Sequence, residues 1–224
     1  MGPRRLWRWG EHQDTATGEW VYGISITRRT LVEAGPVLAD CANNIASALD
    51  HVASAIAKAR GHPRLKWLYF PWGFADAEFE KKLGEAAEVL GPEMVEAIRA
   101  ARAKHKHEIH HVEAAKQISR DGKHWEIRAA VFSARGIGLI GEDFKKRYFG
   151  IPADALEGAD SYEFHRGAER VPAERGAEVL IGIIVDGLDE GLPTGTRSIF
   201  SCAFRFVQGV IDEVELSGKP KAGP

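Results

Sequence analysis

Cysteine is scarce in this chain of 224 residues: there are two, Cys41 and Cys202, each inside an apolar run and far from the other. That excludes a disulfide framework and a cysteine-rich zinc site, and it fits a reducing compartment. No run approaches the 18 or more apolar residues of a membrane span. The basic residues at the N-terminus lead into Gly10-Glu-His-Gln-Asp14 and not into an apolar stretch, so no secretory signal is expected and the expected location is cytoplasmic. An excess of one charge is missing too. Thirty Lys and Arg against 32 Asp and Glu leave a formal charge of −2, which gives no global attraction to nucleic acid or to an anionic membrane and leaves only local patches to consider. No internal repeat is visible.

Apolar residues make up 44% of the chain, enough for a sizeable core in one domain. The most informative stretch is residues 38–56. Leu38, Cys41, Ile45, Leu49, Val52 and Ile56 step by three or four, one face of a helix that starts near Thr30 or at Pro36 and stops at Gly61. Its other face carries Asn43, Asn44, Ser47, Asp50, His51 and Ser54, small hydrogen-bonding groups where a solvated face normally shows Glu, Lys and Arg. This is the pattern of a buried polar seam or of a site.

Residues 6–9 and 19–27 read as a β-hairpin, with turn chemistry between them and alternation of Trp20, Tyr22, Ile24 and Ile26 in the second arm. After the central helix comes an aromatic connector holding Trp67, Tyr69, Phe70, Trp72 and Phe74, in which Pro71 and Gly73 forbid a regular helix; the simplest reading is a plug on the core. A helix over 76–87 follows, then a helical pattern over 93–120 that its polar interruption at 104–107 divides into two. Strands are expected at 126–134, 178–185, 198–210 and 213–216, with an unusually long connection over 150–176 and a disordered tail at 217–224. The expected fold class is α+β: a three- to four-helix bundle packed on an antiparallel sheet made by the N-terminal hairpin and C-terminal strands. It forms a single domain over 1–216, with the hairpin at 1–29, the helical part at 30–122 and the β part at 123–216.

Two constellations could carry chemistry. His107-Glu-Ile-His-His111 satisfies the H-E-x-x-H pattern, in which His107 and His111, one helical turn apart, grip zinc and Glu108 activates a water. Four histidines and two lysines within 104–111 make a chance match easy, and a solvated face is the plainer reading. The second is Arg120-Asp-Gly-Lys-His124, where Asp121-Gly122 reads as a turn from helix to sheet and Arg120, Asp121, Lys123 and His124 supply acid, base and ion-holding groups.

Three segments together, Ala46-Ser-Ala-Leu-Asp-His51, Phe70-Pro-Trp72 and Ser119-Arg-Asp-Gly-Lys-His-Trp125, resemble a large bacterial family of uncharacterised proteins. That family is marked by an Arg-Ser-Ala-Leu-Asp-His helix, a Phe-Pro-Ile turn and an Asn-x-Asp-Lys-His turn. Here Ala46 stands in place of the Arg, Ser119 in place of the Asn, and Gly122 is inserted. The resemblance implies that Asp50, His51, Asp121, Lys123 and His124 form one polar cluster. The chain is also similar to HEPN-type helical domains, whose ribonuclease members have four to six residues between an Arg and a His on a helix, where Arg120 and His124 have three.

These residues lead to the expectation of a non-enzymatic binding or interaction module with a polar Asp/His/Lys cluster beside the central helix. The alternatives are a metal-independent RNA-cleaving enzyme using Asp50, His51, Arg120, Asp121, Lys123 and His124, and a zinc-dependent hydrolase using His107, Glu108 and His111. No cofactor is expected under the first reading, and zinc under the last. The partners to consider are a small molecule, RNA or protein, with no membrane, and a homo-oligomer is compatible with the sequence. Burial separates the readings, because a register-fixing network is sealed whereas a working site lines a cleft.

Overall fold

The computed structural model describes residues 7–62, 65–124, 129–140, 146–150, 152, 155, 161–171 and 176–218. The side chains of 28–31, 123–124, 129–136, 146, 176–177 and 179–181 are outside that description. The fold class is α+β, and the contacts divide the chain into two compact units, Met1–Pro36 with Ile127–Gly187 and Val37–Glu126 with Leu188–Pro224.

The first unit holds the strands: β1 (Trp7–Gln13), β2 (Trp20–Ile26), β3 (Ala129–Ile140), β4 (Lys146–Gly150), β5 (Ser161–Gly167) and β6 (Gly176–Val185). They form two antiparallel three-stranded sheets, ordered β1-β2-β5 and β4-β3-β6, where the sequence pattern suggests one. The predicted hairpin is present. Asp14 starts its turn, its Oδ1 accepting from the backbone N–H of Ala16 at 2.9 Å, and Gly18 closes it at a φ of 75° that a side chain would disfavour. Tyr22, Ile24 and Ile26 of β2 pack with Ile137, Leu139 and Val171 into one core, with Trp20, Phe149 and Phe164 half-buried against it. The buried Tyr22 hydroxyl accepts from the Val171 N–H at 2.8 Å and lies 3.3 Å from the Val171 carbonyl, so its polar atom is satisfied inside that core. The long connection over 150–176 turns out to contain β5, which extends the hairpin by pairing with β2; the rest of it lies largely outside the described residues.

The second unit is helical. Its elements are α1 (Arg28–Ala59), which begins within the range of the first unit, α2 (Asp76–Leu90), α3 (Pro92–Lys104), a 3-10 turn (Lys106–Glu108), α4 (Ile109–His124) and α5 (Thr196–Gly218). Pro36 lies inside α1 and does not start it. The buried face of α1 is carried by Leu38, Ala42, Leu49, Ala53, Ile56 and Ala57, whereas Cys41 of the expected apolar stripe is exposed; small alanines fill the inner face. Gly91 ends α2 at a φ of 81°, and Pro92 begins α3 where its missing N–H costs nothing. The break at 104–107 does divide α3 from α4, and the expected stripe of Ile109, Val112, Ala115 and Ile118 is buried along α4.

The C-terminal strands, the start of the tail and the turn at Gly122 are not as expected in this unit. Residues 198–210 and 213–216 are not strands but parts of α5, which packs on α3 and α4 through buried Ile199, Ala203, Phe206, Val207 and Val210. Those positions step by three and four; their aromatic and β-branched character imitates a strand. Ser217 and Gly218 of the expected tail finish α5, and residues 219–224 are outside the described residues. The Asp121-Gly122 turn is likewise absent: α4 continues through Gly122 to His124.

The connector between α1 and α2 is pinned by Arg102 of α3, which is 6% exposed. Its guanidinium donates to the Gly73 carbonyl at 2.8 Å, to the Phe74 carbonyl at 2.9 Å and to Asp76 Oδ1 at 2.9 Å, and lies 4.4 Å from the centre of the Phe79 ring. Gly73 itself has no room for a side chain, since a Cβ there would stand 2.3 Å from the Phe79 backbone nitrogen. No helix among the described residues is long and apolar enough to cross a membrane.

Candidate functional site

Of the small polar residues on α1, Asn43 and Asp50 are the two turned inward enough to serve a site. Helical spacing puts them on one face, two turns apart. Asn43 Oδ1 accepts from Ser119 Oγ at 2.5 Å, and Asp50 Oδ1 accepts from the backbone N–H of Phe70 at 2.9 Å. Asn44, Ser47, His51 and Ser54 are exposed. On α4, Glu113, Lys116 and Arg120 follow one another at three- and four-residue steps, a polar stripe beside the buried apolar one.

These groups meet the aromatic connector at a cleft of about 370 Å³ lined by Ala46, Leu49, Asp50, Tyr69, Phe70, Trp72, Lys116, Ser119 and Arg120. The connector is a plug only in part: Phe70 and Trp72 are buried, but Tyr69 is 66% and Trp67 56% exposed. Trp72 orders one wall. Its indole Nε1 donates to Glu113 Oε2 at 2.6 Å, and its ring meets Phe206 of α5 edge-on at 5.5 Å. The Lys116 ammonium lies 5.3 Å from the centre of that ring.

Lys116 is the electrostatic centre of the cleft. Burial, opposed by the carboxylates of Glu113 and Asp50, pushes its pKa down from the usual 10.5 to about 8. An amine so placed carries a charge near neutrality that is incompletely solvated, and an anionic group entering the cleft relieves that deficit. Arg120 at the same cleft donates from Nε to Asp121 Oδ1 at 3.1 Å and is otherwise turned to solvent.

The expected cluster is therefore only partly assembled. Asp50 and Arg120 share the cleft, and Asp121 joins through Arg120. His51 is exposed and lines a different hollow with Ser54, Lys58, His62 and Lys66, so the idea of a sealed network around it does not hold. The backbone of Lys123 and His124 is in α4, which places Arg120 and His124 one helical turn apart; their side chains at 123 and 124 lie outside the described residues. Lys116, Ser119 and Tyr69 were not singled out as site residues from the sequence. The i, i+3, i+7 spacing of Glu113, Lys116 and Arg120 puts Lys116 on a polar stripe of the helix, and no local pattern marks Ser119 or Tyr69 as lining a cleft.

The His107-Glu-Ile-His-His111 segment straddles a junction: His107 and Glu108 are in the 3-10 turn and His111 is in α4. His107 is exposed, His111 Nε2 is 2.8 Å from Ser198 Oγ, and burial holds the His111 pKa below the usual range. Glu108 lies 3.6 Å from Arg205 Nε and 3.9 Å from His105 Nδ1, partners unlike those of a water-activating base. Among the described residues no three His, Cys, Asp or Glu side chains are grouped to hold a metal ion. No protein-family model, no curated protein and no solved structure matches the chain.

Proposed function

We propose that the chain is a non-enzymatic binding module whose cleft between α1, α4 and the aromatic connector takes a small ligand with a flat ring and an anionic group. The observation that carries this reading is the placement of Lys116, desolvated and backed by the Trp72 ring, among Asp50, Ser119 and Arg120 in one open cleft. The apolar walls of Leu49, Phe70 and Trp72 suit a ring, and a few convergent polar groups set its orientation, the usual division of labour in a ligand site. The Lys116 charge gains what it lacks when an anion arrives, while Asp50, already holding the Phe70 N–H, keeps the connector in position.

Calorimetric titration with indole-3-carboxylate and with uridine monophosphate tests this. Saturable binding at one site is expected, weakened about tenfold or more in Lys116→Met, the loss that follows removal of a charge-assisted contact. Neutral indole should bind more weakly than its carboxylate. Equal binding of the charged probes to wild type and Lys116→Met, or no binding by either probe, would remove the cleft as a site.

A further inference from the structure

A second hollow, of about 1030 Å³, meets the small cleft at Asp50 and Tyr69. Its lining is basic. Lys58 in the last turn of α1, His51 about two turns earlier, and His62 and Lys66 beyond the helix all contribute. Among the described residues Asp50 is the lone carboxylate of that lining, and its Oδ1 is already bonded to the Phe70 N–H. At the junction of the two hollows stands the exposed ring of Tyr69, with exposed Trp67 two residues before it.

Scattered surface lysines ordinarily form nothing but a solvated face. Here they line a concavity, and the concavity ends at the exposed ring of Tyr69, which offers a stacking platform. A ligand that satisfies both features has repeated negative charges and flat rings at regular intervals. An acidic peptide supplies the charge without the rings, and duplex nucleic acid hides its ring faces inside the stack. We infer that this groove binds single-stranded nucleic acid, with phosphates on Lys58 and Lys66 and a base stacked on Tyr69. The inference goes beyond the small-ligand reading, with which it shares Tyr69 and Asp50. It concerns a local patch, in keeping with a chain whose formal charge is −2.

The test is fluorescence anisotropy of fluorescein-labelled single-stranded oligouridylate and oligothymidylate with the full chain at low salt, with a duplex of equal length, heparin and uridine monophosphate as competitors. The oligomers are expected to bind about tenfold or more tightly than uridine monophosphate, with affinity falling steadily as salt rises. The two labelled strands distinguish RNA from DNA as the source of the shared chemistry. Lys58→Glu combined with Lys66→Glu should weaken the oligomers about tenfold or more and leave uridine monophosphate unchanged, and Tyr69→Ala should weaken them several-fold. All three side chains are exposed, so circular dichroism and melting should match wild type. Oligomers no tighter than the mononucleotide, or unaffected by the charge reversals, would overturn the inference and leave the small-ligand cleft standing. Duplex or heparin competing as well as the single strand would overturn it too, by marking the groove as a general polyanion surface.

Discussion

The two units treat an inward-facing polar group in opposite ways. In the strand unit, the Tyr22 hydroxyl is buried and meets both backbone groups of Val171, so the polar atom is consumed by the fold. In the helical unit, Lys116 is partly buried, its pKa is held at about 8, and it borders open space beside Asp50 and Arg120. A fold that needed only to fix helix register would close such a group as the strand unit closes Tyr22. The helical unit does contain a closed network of that kind, at Arg102, which makes the openness at Lys116 stand out as a property of one place.

The largest effect should come from the closed network. Arg102→Ala strips the Gly73 and Phe74 carbonyls of a buried donor and removes packing from Phe79, and should cost roughly 2–4 kcal/mol in denaturant unfolding. Arg102→Lys should recover only a part, because one ammonium cannot reproduce the forked donors. A loss within the range seen for surface substitutions, about 0.5 kcal/mol or less, would break the contrast by showing that Arg102 is not structural.

Tyr22→Phe makes the same point in the strand unit. It leaves the Val171 N–H without the acceptor at 2.8 Å, and a loss of roughly 1–3 kcal/mol is expected at unchanged denaturant slope. Lys116→Met should behave oppositely, gaining about 1–2 kcal/mol at pH 7 once the screening that comes with partial exposure is allowed for. The sign follows from proton linkage. Between pH 8 and 10.5 the unfolded lysine keeps its proton while the folded one has released it, so wild-type stability rises with pH across that window and the advantage of Met shrinks. A variant less stable than wild type at pH 7, with a difference constant in pH, would place Lys116 with the closed groups. Smallest of all is His51→Ala, expected within about 0.5 kcal/mol because the imidazole is exposed.

The same contrast explains what the sequence could reveal. Alternation in β2 and the spacing of α1, α2 and α4 are local signals, and the elements they predict are present. The strands predicted at 198–216 fail because Phe200, Phe204, Phe206 and Val207 favour a sheet intrinsically, while packing on α3 and α4 imposes the helix. Gly122 reads as a turn, yet α4 tolerates it at the modest cost of a helical glycine. For the site, the polar face of α1 was legible, and so was Asp50. Which of six polar residues turn inward was not, since that depends on where α4 and the connector lie. Lys116 was hidden for the same reason: a lysine between Ala115 and Gln117 looks like any surface lysine until the Trp72 ring and the Glu113 carboxylate are placed beside it. The plug reading of the connector captured Phe70 and Trp72 and missed that Trp67 and Tyr69 face outward.

Openness at Lys116 is most directly measured by following the Lys116 side-chain carbon in NMR spectra of selectively labelled protein, assigned through Lys116→Met, as pH is raised with and without saturating indole-3-carboxylate. The account predicts a midpoint at about 8 in the free protein, moving up toward the ordinary lysine value of 10.5 when the anion binds. A free-protein midpoint already at the ordinary value, or a depressed one that the ligand leaves unmoved, would contradict it.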